Sequence, residues 1–141
     1  MTAAPSPVQQ ANLDVIVELG PLTSTGFANP RPDLFAADFV FHFCNPQLPE
    51  LDGDHHGVDG LVDMFTRLAD ITDTEVRSEP KSLTPFGDEL VVVYATHTLG
   101  LGGALFDVDA IVVWRVFEGR IHEGWDIPAV NTVRPRPAVA D

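Results

Sequence analysis

The chain has 141 residues, 45% of them hydrophobic, which is enough for one folded domain with a core and too apolar for a disordered chain. Its formal net charge is -13, from 21 acidic and 8 basic side chains. Such a surface repels phosphate, so nucleic acid and anionic membranes are excluded as expected partners. Cys44 is the one cysteine, which rules out an intrachain disulfide and fits a reducing cytoplasm. The start, "MTAAPSPVQQ", lacks the basic and apolar segments of a signal peptide, and no run reaches the length of a membrane span.

Residues 1–7 are small and proline-punctuated and are expected to be loose. Val8, Ala11, Val15, Ile16 and Leu19 recur at helical spacing, and Gly20-Pro21 stops the run. "LTSTGFANPRP" reads as loop or a short broken helix. In "DLFAADFVFHFCNP", Phe39, Phe41 and Phe43 alternate with Asp38, Val40, His42 and Cys44, which predicts a strand. "QLPELDGDHH" reads as an exposed loop. In "GVDGLVDMFTRLADI", Val58, Leu61, Val62, Phe65, Leu68, Ala69 and Ile71 make one apolar stripe, with Asp59, Asp63, Arg67 and Asp70 turned away.

The remainder is β. "TEVRSEPKSLTPFG" carries an irregular strand, followed by "DELVVVYATHTLGL", "GGALFDVDAIVVWRVF" and "GRIHEGWDIPAV". Glu118-Gly119 is a tight hairpin turn, and the glycines at 100, 102 and 103 allow another. The order predicts an α+β domain over residues 8–130, with helices against a curved antiparallel sheet and a proline-rich, frayed tail at 131–141.

Alternation places Arg120, His122, Gly124 and Asp126 on one face of the last strand, with Ile121, Glu123, Trp125 and Ile127 on the other. It also puts Tyr94 and His97 on opposite faces of theirs, so only one of the two can line a pocket. A sheet curled around helices encloses an apolar hollow holding a few polar groups, the usual makeup of a small-molecule site. His42, Asp126 and either Tyr94 or His97 are the candidates to line it.

Two stretches carry a family resemblance. "DFVFHFCNPQLPELDGDHHGVDGLVDMFTRL" resembles a strand–loop–helix segment of the nuclear transport factor 2-like superfamily. "AIVVWRVFEGRIHEGWDIPAV" resembles the closing hairpin of its SnoaL-like members, in which a strand ends in "His-Trp-Asp". The resemblance spans roughly residues 8–130. It implies a cone-shaped α+β barrel, a bent antiparallel sheet wrapped around N-terminal helices, with a deep pocket and a homodimer built on the outer sheet face. The superfamily includes ketosteroid isomerases, polyketide cyclases, dehydratases and epoxide hydrolases, so the resemblance leaves the reaction open.

Carried over by position, Asp126 matches the aspartate that serves as general acid/base in the cyclases, and Trp125 and Arg115 match motif positions. Gly124 stands where the cyclases have histidine. Val112 stands where many have an aspartate. Buried among apolar groups, a carboxylate has its charged form disfavoured and becomes a better proton carrier. The alternative for Asp126 is a solvated carboxylate at a strand end before Pro128.

His42 is the expected second acid/base group, the alternative being a core histidine satisfied by a carbonyl. Tyr94, His97, His55, Trp114, Trp125 and Val112 are expected around the ligand, with core packing as the alternative for the tryptophans. "DGDHH" has metal-ligand residue types, but near neighbours in a loop seldom converge on one ion, so no metal is expected. Cys44 reads as a buried, inert thiol.

The reading that follows is a cofactor-independent acid/base enzyme, an isomerase, cyclase, dehydratase or hydrolase, acting on a small apolar or polyketide-like molecule. Its rivals are a non-catalytic small-molecule binding protein of the same fold and a dimerisation module.

Overall fold

A computed structural model describes residues 4–20, 31–72 and 76–136. Helix α1 spans Pro7–Leu19, β1 Phe35–Phe43, β2 Gly53–His56, α2 Gly57–Ile71, β3 Arg77–Phe86, β4 Leu90–Leu101, β5 Ala104–Phe117, β6 Arg120–Pro128 and β7 Arg134–Pro135. Short 3-10 turns occupy Pro32–Leu34 and Val130–Thr132. Most of "LTSTGFANPRP" lies outside the described residues.

The strands form one bent, open sheet in the order β2-β1-β6-β5-β4-β3, with β7 pairing β5. It is mixed rather than antiparallel throughout, because β1 lies parallel to β6. A parallel pair needs a long connection, and here β1 is joined to β6 through β2, α2 and the β3–β5 meander. The "DGDHH" segment, expected as loop, is largely strand, with Val40–Phe43 pairing His56–Gly53.

Ser6 caps α1 by accepting from the Gln9 amide, while the Gln9 side chain accepts from the Ser6 amide. The expected stripe holds toward the helix's C-terminal half, where Ile16 is buried and Val15 and Leu19 pack against the core, but Val8 is 50% exposed and Asn12 is buried in addition. Burial of Asn12 is tolerated because its side-chain amide donates to the Asp88 carbonyl at 2.8 Å. In α2 the expected stripe does face inward, with Leu61, Phe65 and Leu68 buried, and Met64, which is not among its expected members, is buried with them. The core is completed by Phe39, Phe41, Val91, Trp114, Val116 and Ile121 from the concave face of the sheet.

Both hairpins turn as expected: Glu118 and Gly119 have φ of 51° and 76°, and Gly102 and Gly103 have 60° and 81°. Beyond residue 130 the described chain is held rather than frayed. Arg134 and Pro135 pair with Asp107 and Phe106, and the Arg134 guanidinium bonds Asp109 at 3.1 Å.

Candidate active site

Asp126 reaches the concave face because of an irregularity in β6. Val116 pairs with Ile121 and Arg115 with Glu123, so His122 is an extra residue in the ladder. Simple alternation would put Ile121 and Asp126 on opposite faces. The bulge turns both inward, with Ile121 fully buried and Asp126 6% exposed.

On β4, Val91, Val93, Ala95 and His97 face the concave side and are buried, while Tyr94 is 39% exposed on the convex side. His97 is therefore the member of that pair that enters the site. Its Nε2 lies 3.1 Å from Asp126 Oδ1. The two come from strands that are not adjacent. Asp126 pairs with Val112 and His97 with Val108, and Ala110, paired with Ala95, falls between them on the same face. The contact thus spans a row of two alanines, whose small side chains leave it room.

Among the described residues, His97 Nδ1 is a buried polar side-chain atom with no hydrogen-bond partner. Burial disfavours the imidazolium, but the charge and hydrogen bond of Asp126 outweigh it and hold His97 above its ordinary value of 6.5. Asp126 thus favours the protonated ring, and Nδ1 is left without a partner in the protein.

The pair lines an apolar hollow between α2 and the sheet. Met64, Phe65 and Leu68 of α2 form one wall, and Phe43, Leu99 and Val108 belong to the sheet side. Its cavity volume is about 70 Å³. Among the described lining residues, His97 and Asp126 are the only ionisable ones. The polar side chains of Asn45, Thr72 and Ser78 also line it, but the pair carries its charge.

His42 is not in this hollow. Phe39, Phe41 and Phe43 claim the inward positions of β1, so parity sends His42 to the convex face. There its Nδ1 lies 2.6 Å from Asp54 Oδ1 and its Nε2 2.6 Å from Glu123 Oε2. Its ring stacks on Trp125, with centroids 5.2 Å apart, and the Arg115 guanidinium lies 5.7 Å from the same indole. Burial works against the charged form of His42, and the two carboxylates overcome it, so its value too is raised.

The other expected ligand contacts are dispersed. Trp125 belongs to the convex cluster. Trp114 and Val112 face inward but line a neighbouring hollow. His55 Nε2 is 2.7 Å from the Leu51 carbonyl, tying down the loop before β2. Cys44 is exposed rather than buried, because it follows the end of β1. Burial and the nearby carboxylates of Asp52, Asp126 and Asp54 push its thiol upward, away from the reactive thiolate. Among the described residues no group of three or more His, Cys, Asp or Glu side chains is placed to hold a metal ion.

Gly124 has its own physical reason. A Cβ there would lie 2.5 Å from Trp114 Cζ3 and 3.0 Å from Phe41 Cδ1. The Trp114 ring packs against bare backbone, in space that a side chain at 124 would otherwise need. Two groups that sequence reasoning missed are Ser78, which pairs with His97, and Met64 on α2. Met64 carries a signal, since it lies on the same helical stripe as Leu61, Phe65 and Leu68. Ser78 carries none until the β3–β4 register is known.

Residues 26–124 match the sequence pattern of the SnoaL-like domain family. No curated protein is significantly similar in sequence. Among solved structures, Bal32a from a soil-derived mobile gene cassette is 18% identical, with a TM-score of 0.71 over 86% of this chain and 92% of that one. TerC, co-crystallised with polyporic acid, is 18% identical, with a TM-score of 0.69 over 86% and 93%. An NTF2-like protein of unknown function from Burkholderia pseudomallei K96243 is 22% identical, with a TM-score of 0.68 over 86% and 92%. These likenesses establish the α+β cone fold.

Proposed function

Because the chain belongs to the SnoaL-like domain family, we propose that it is an acid/base enzyme working without cofactor on a small, uncharged, largely apolar molecule that carries oxygen. The observation that supports this reading is the buried His97–Asp126 pair in an apolar hollow, with one imidazole nitrogen left without a protein partner. Such an atom is costly to bury unless a ligand satisfies it.

The roles divide as follows. His97 Nδ1–H donates to a carbonyl, hydroxyl or epoxide oxygen of the ligand and can transfer its proton there. Asp126 holds Nε2–H, fixes the ring and stabilises the imidazolium when the proton returns. In this reading His97 carries the proton that Asp126 was expected to shuttle, Asp126 positions and stabilises His97, and His42 has no part. Reactions opened by protonation at oxygen fit: isomerisation through an enol, dehydration, cyclisation or epoxide opening.

The experiment is proton exchange and turnover on neutral ketones, β-hydroxy ketones and epoxides, followed by NMR in deuterated buffer for wild type, His97→Gln and Asp126→Asn. Loss of exchange in both variants, with ligand still bound, supports the enzyme. The second reading, a binding protein, is favoured by the lack of another ionisable group among the described lining residues. It gains if ligands bind and none reacts.

A homodimer on the convex face accompanies this proposal, since Tyr94, Ile111 and Ile127 leave apolar surface exposed there. Light scattering tests it. The lone, exposed Cys44 accords with a reducing cytoplasm. No helix among the described residues is long and apolar enough to cross a membrane.

A further inference from the structure

The concave face of the sheet carries a second hollow beside the first. Ile16 and Val17 of α1 cover it, and Leu83, Val93, Val112 and Trp114 line its sheet side. Its cavity volume is about 200 Å³. Like the first it is apolar, and none of its described lining residues is ionisable.

Ser78 lines both hollows. The strand register shows how close they are. The first hollow includes the row Ser78–His97–Val108, and the second includes Leu83–Val93–Val112. On β4 and β5 the row between them is Ala95–Ala110. On the sheet side the two hollows are therefore one row apart, with the buried Ala95 and Ala110 and the His97–Asp126 contact between them.

We propose that the two hollows are halves of one site, and that its ligand is an elongated, uncharged molecule with its oxygen function in the middle and an apolar group on each side. This rests on the function proposed above and narrows its substrate class. One apolar group sits beneath α2 against Met64 and Phe65, and the other beneath α1 against Val112 and Trp114. The internal oxygen meets His97 Nδ1. A net-neutral ion pair at the centre of an otherwise uncharged cleft selects against anionic ligands, because a carboxylate in either half would have no counter-charge.

The test compares two ketones that absorb little where tryptophan is excited: cyclohexyl methyl ketone, with one ring, and dicyclohexyl ketone, with a ring on each side of the carbonyl. Calorimetry on the full chain reads affinity. Tryptophan emission, assigned with Trp114→Phe, reads occupation of the second hollow. The expected result is at least about tenfold tighter binding of the two-ring ketone, from burial of the second ring, with a change in Trp114 emission for that ketone alone. Val93→Phe, or Leu83→Phe should the first variant not fold, narrows the second hollow. It should remove the two-ring advantage and leave one-ring binding within about twofold. Equal affinity for both ketones in the wild type, or a second-hollow variant that weakens both equally, overturns the two-part site while leaving the proposed function standing. If neither ketone binds, the proposed function falls and this inference with it.

Discussion

His97 and Asp126 meet at 3.1 Å across an intervening strand, over the paired alanines Ala95 and Ala110. Neither residue has the other as a ladder neighbour. Their contact depends on the bend of the sheet and on small side chains between them. Both residues are buried, and both line the apolar hollow.

Breaking the pair should cost more than an exposed ion pair would. Asp126→Ala leaves a buried imidazole without its counter-charge, for which about 3–5 kcal/mol is typical. Asp126→Asn keeps the shape and a hydrogen-bond partner and should cost less. Urea unfolding of both variants checks the order. In turnover, His97→Gln should reduce the rate by about 10²–10⁴-fold, the range for a positioned proton carrier.

The stability of the protein should fall as pH rises above 6.5. The folded value of His97 is raised above 6.5, so its stabilising contribution is complete below pH 6.5 and is lost as pH rises through that raised value. His42 has the same sign, being held up by Asp54 and Glu123. Unfolding free energies for wild type, His42→Gln and His97→Gln across pH 5.5 to about 9 separate the two. Each variant should show a shallower alkaline loss than the wild type. Identical slopes in all three proteins would contradict both assignments.

Gly124 should not accept a side chain. Gly124→Ala places a methyl against Trp114 and Phe41, and overpacking of this kind costs about 1–3 kcal/mol. Restoring a histidine there should be worse and should not create a proton relay, since the Trp114 ring packs where it would go. Thermal unfolding and near-ultraviolet circular dichroism, which reports the Trp114 environment, are the readouts.

The row between the paired residues should also be sensitive. Ala110→Leu adds bulk beneath the ion pair and should separate His97 from Asp126, lowering the His97 value toward or below 6.5 while retaining the fold. Histidine NMR resolves this. An unchanged His97 titration in a folded Ala110→Leu protein would show that the pair does not depend on the alanine row.

Much of the fold is legible in the residues because it rests on local pattern. The α2 stripe, the alternation in β4 and β5 and the Glu118-Gly119 turn each identify their element within a few positions. Asp126 is legible too, as a carboxylate where a buried strand residue belongs. The partner of Asp126 is less so. His42 and His97 both sit among apolar strand residues, and choosing between them requires knowing which phenylalanines win the inward face of β1. The strand from 53 to 56 and the parallel β1–β6 pairing are set by long-range contacts that no local pattern encodes. The bulge at His122 has no composition signal, yet it sets Ile121 and Asp126 on the same side. Asn12 escapes an apolar-stripe reading because its burial depends on the carbonyl of Asp88, far along the chain.

The central claim is that the His97–Asp126 pair lies inside an apolar hollow and offers the Nδ1 side of the imidazole to a ligand. Long-range ¹H–¹⁵N NMR of the histidine rings, recorded through a pH titration and then with cyclohexyl methyl ketone added, tests it most directly. The account predicts that the His97 midpoint lies above 6.5, that it drops in Asp126→Asn, and that the ketone shifts Nδ1 far more than Nε2. A His97 midpoint at or below 6.5, or two ring nitrogens that ignore the ketone, would contradict it.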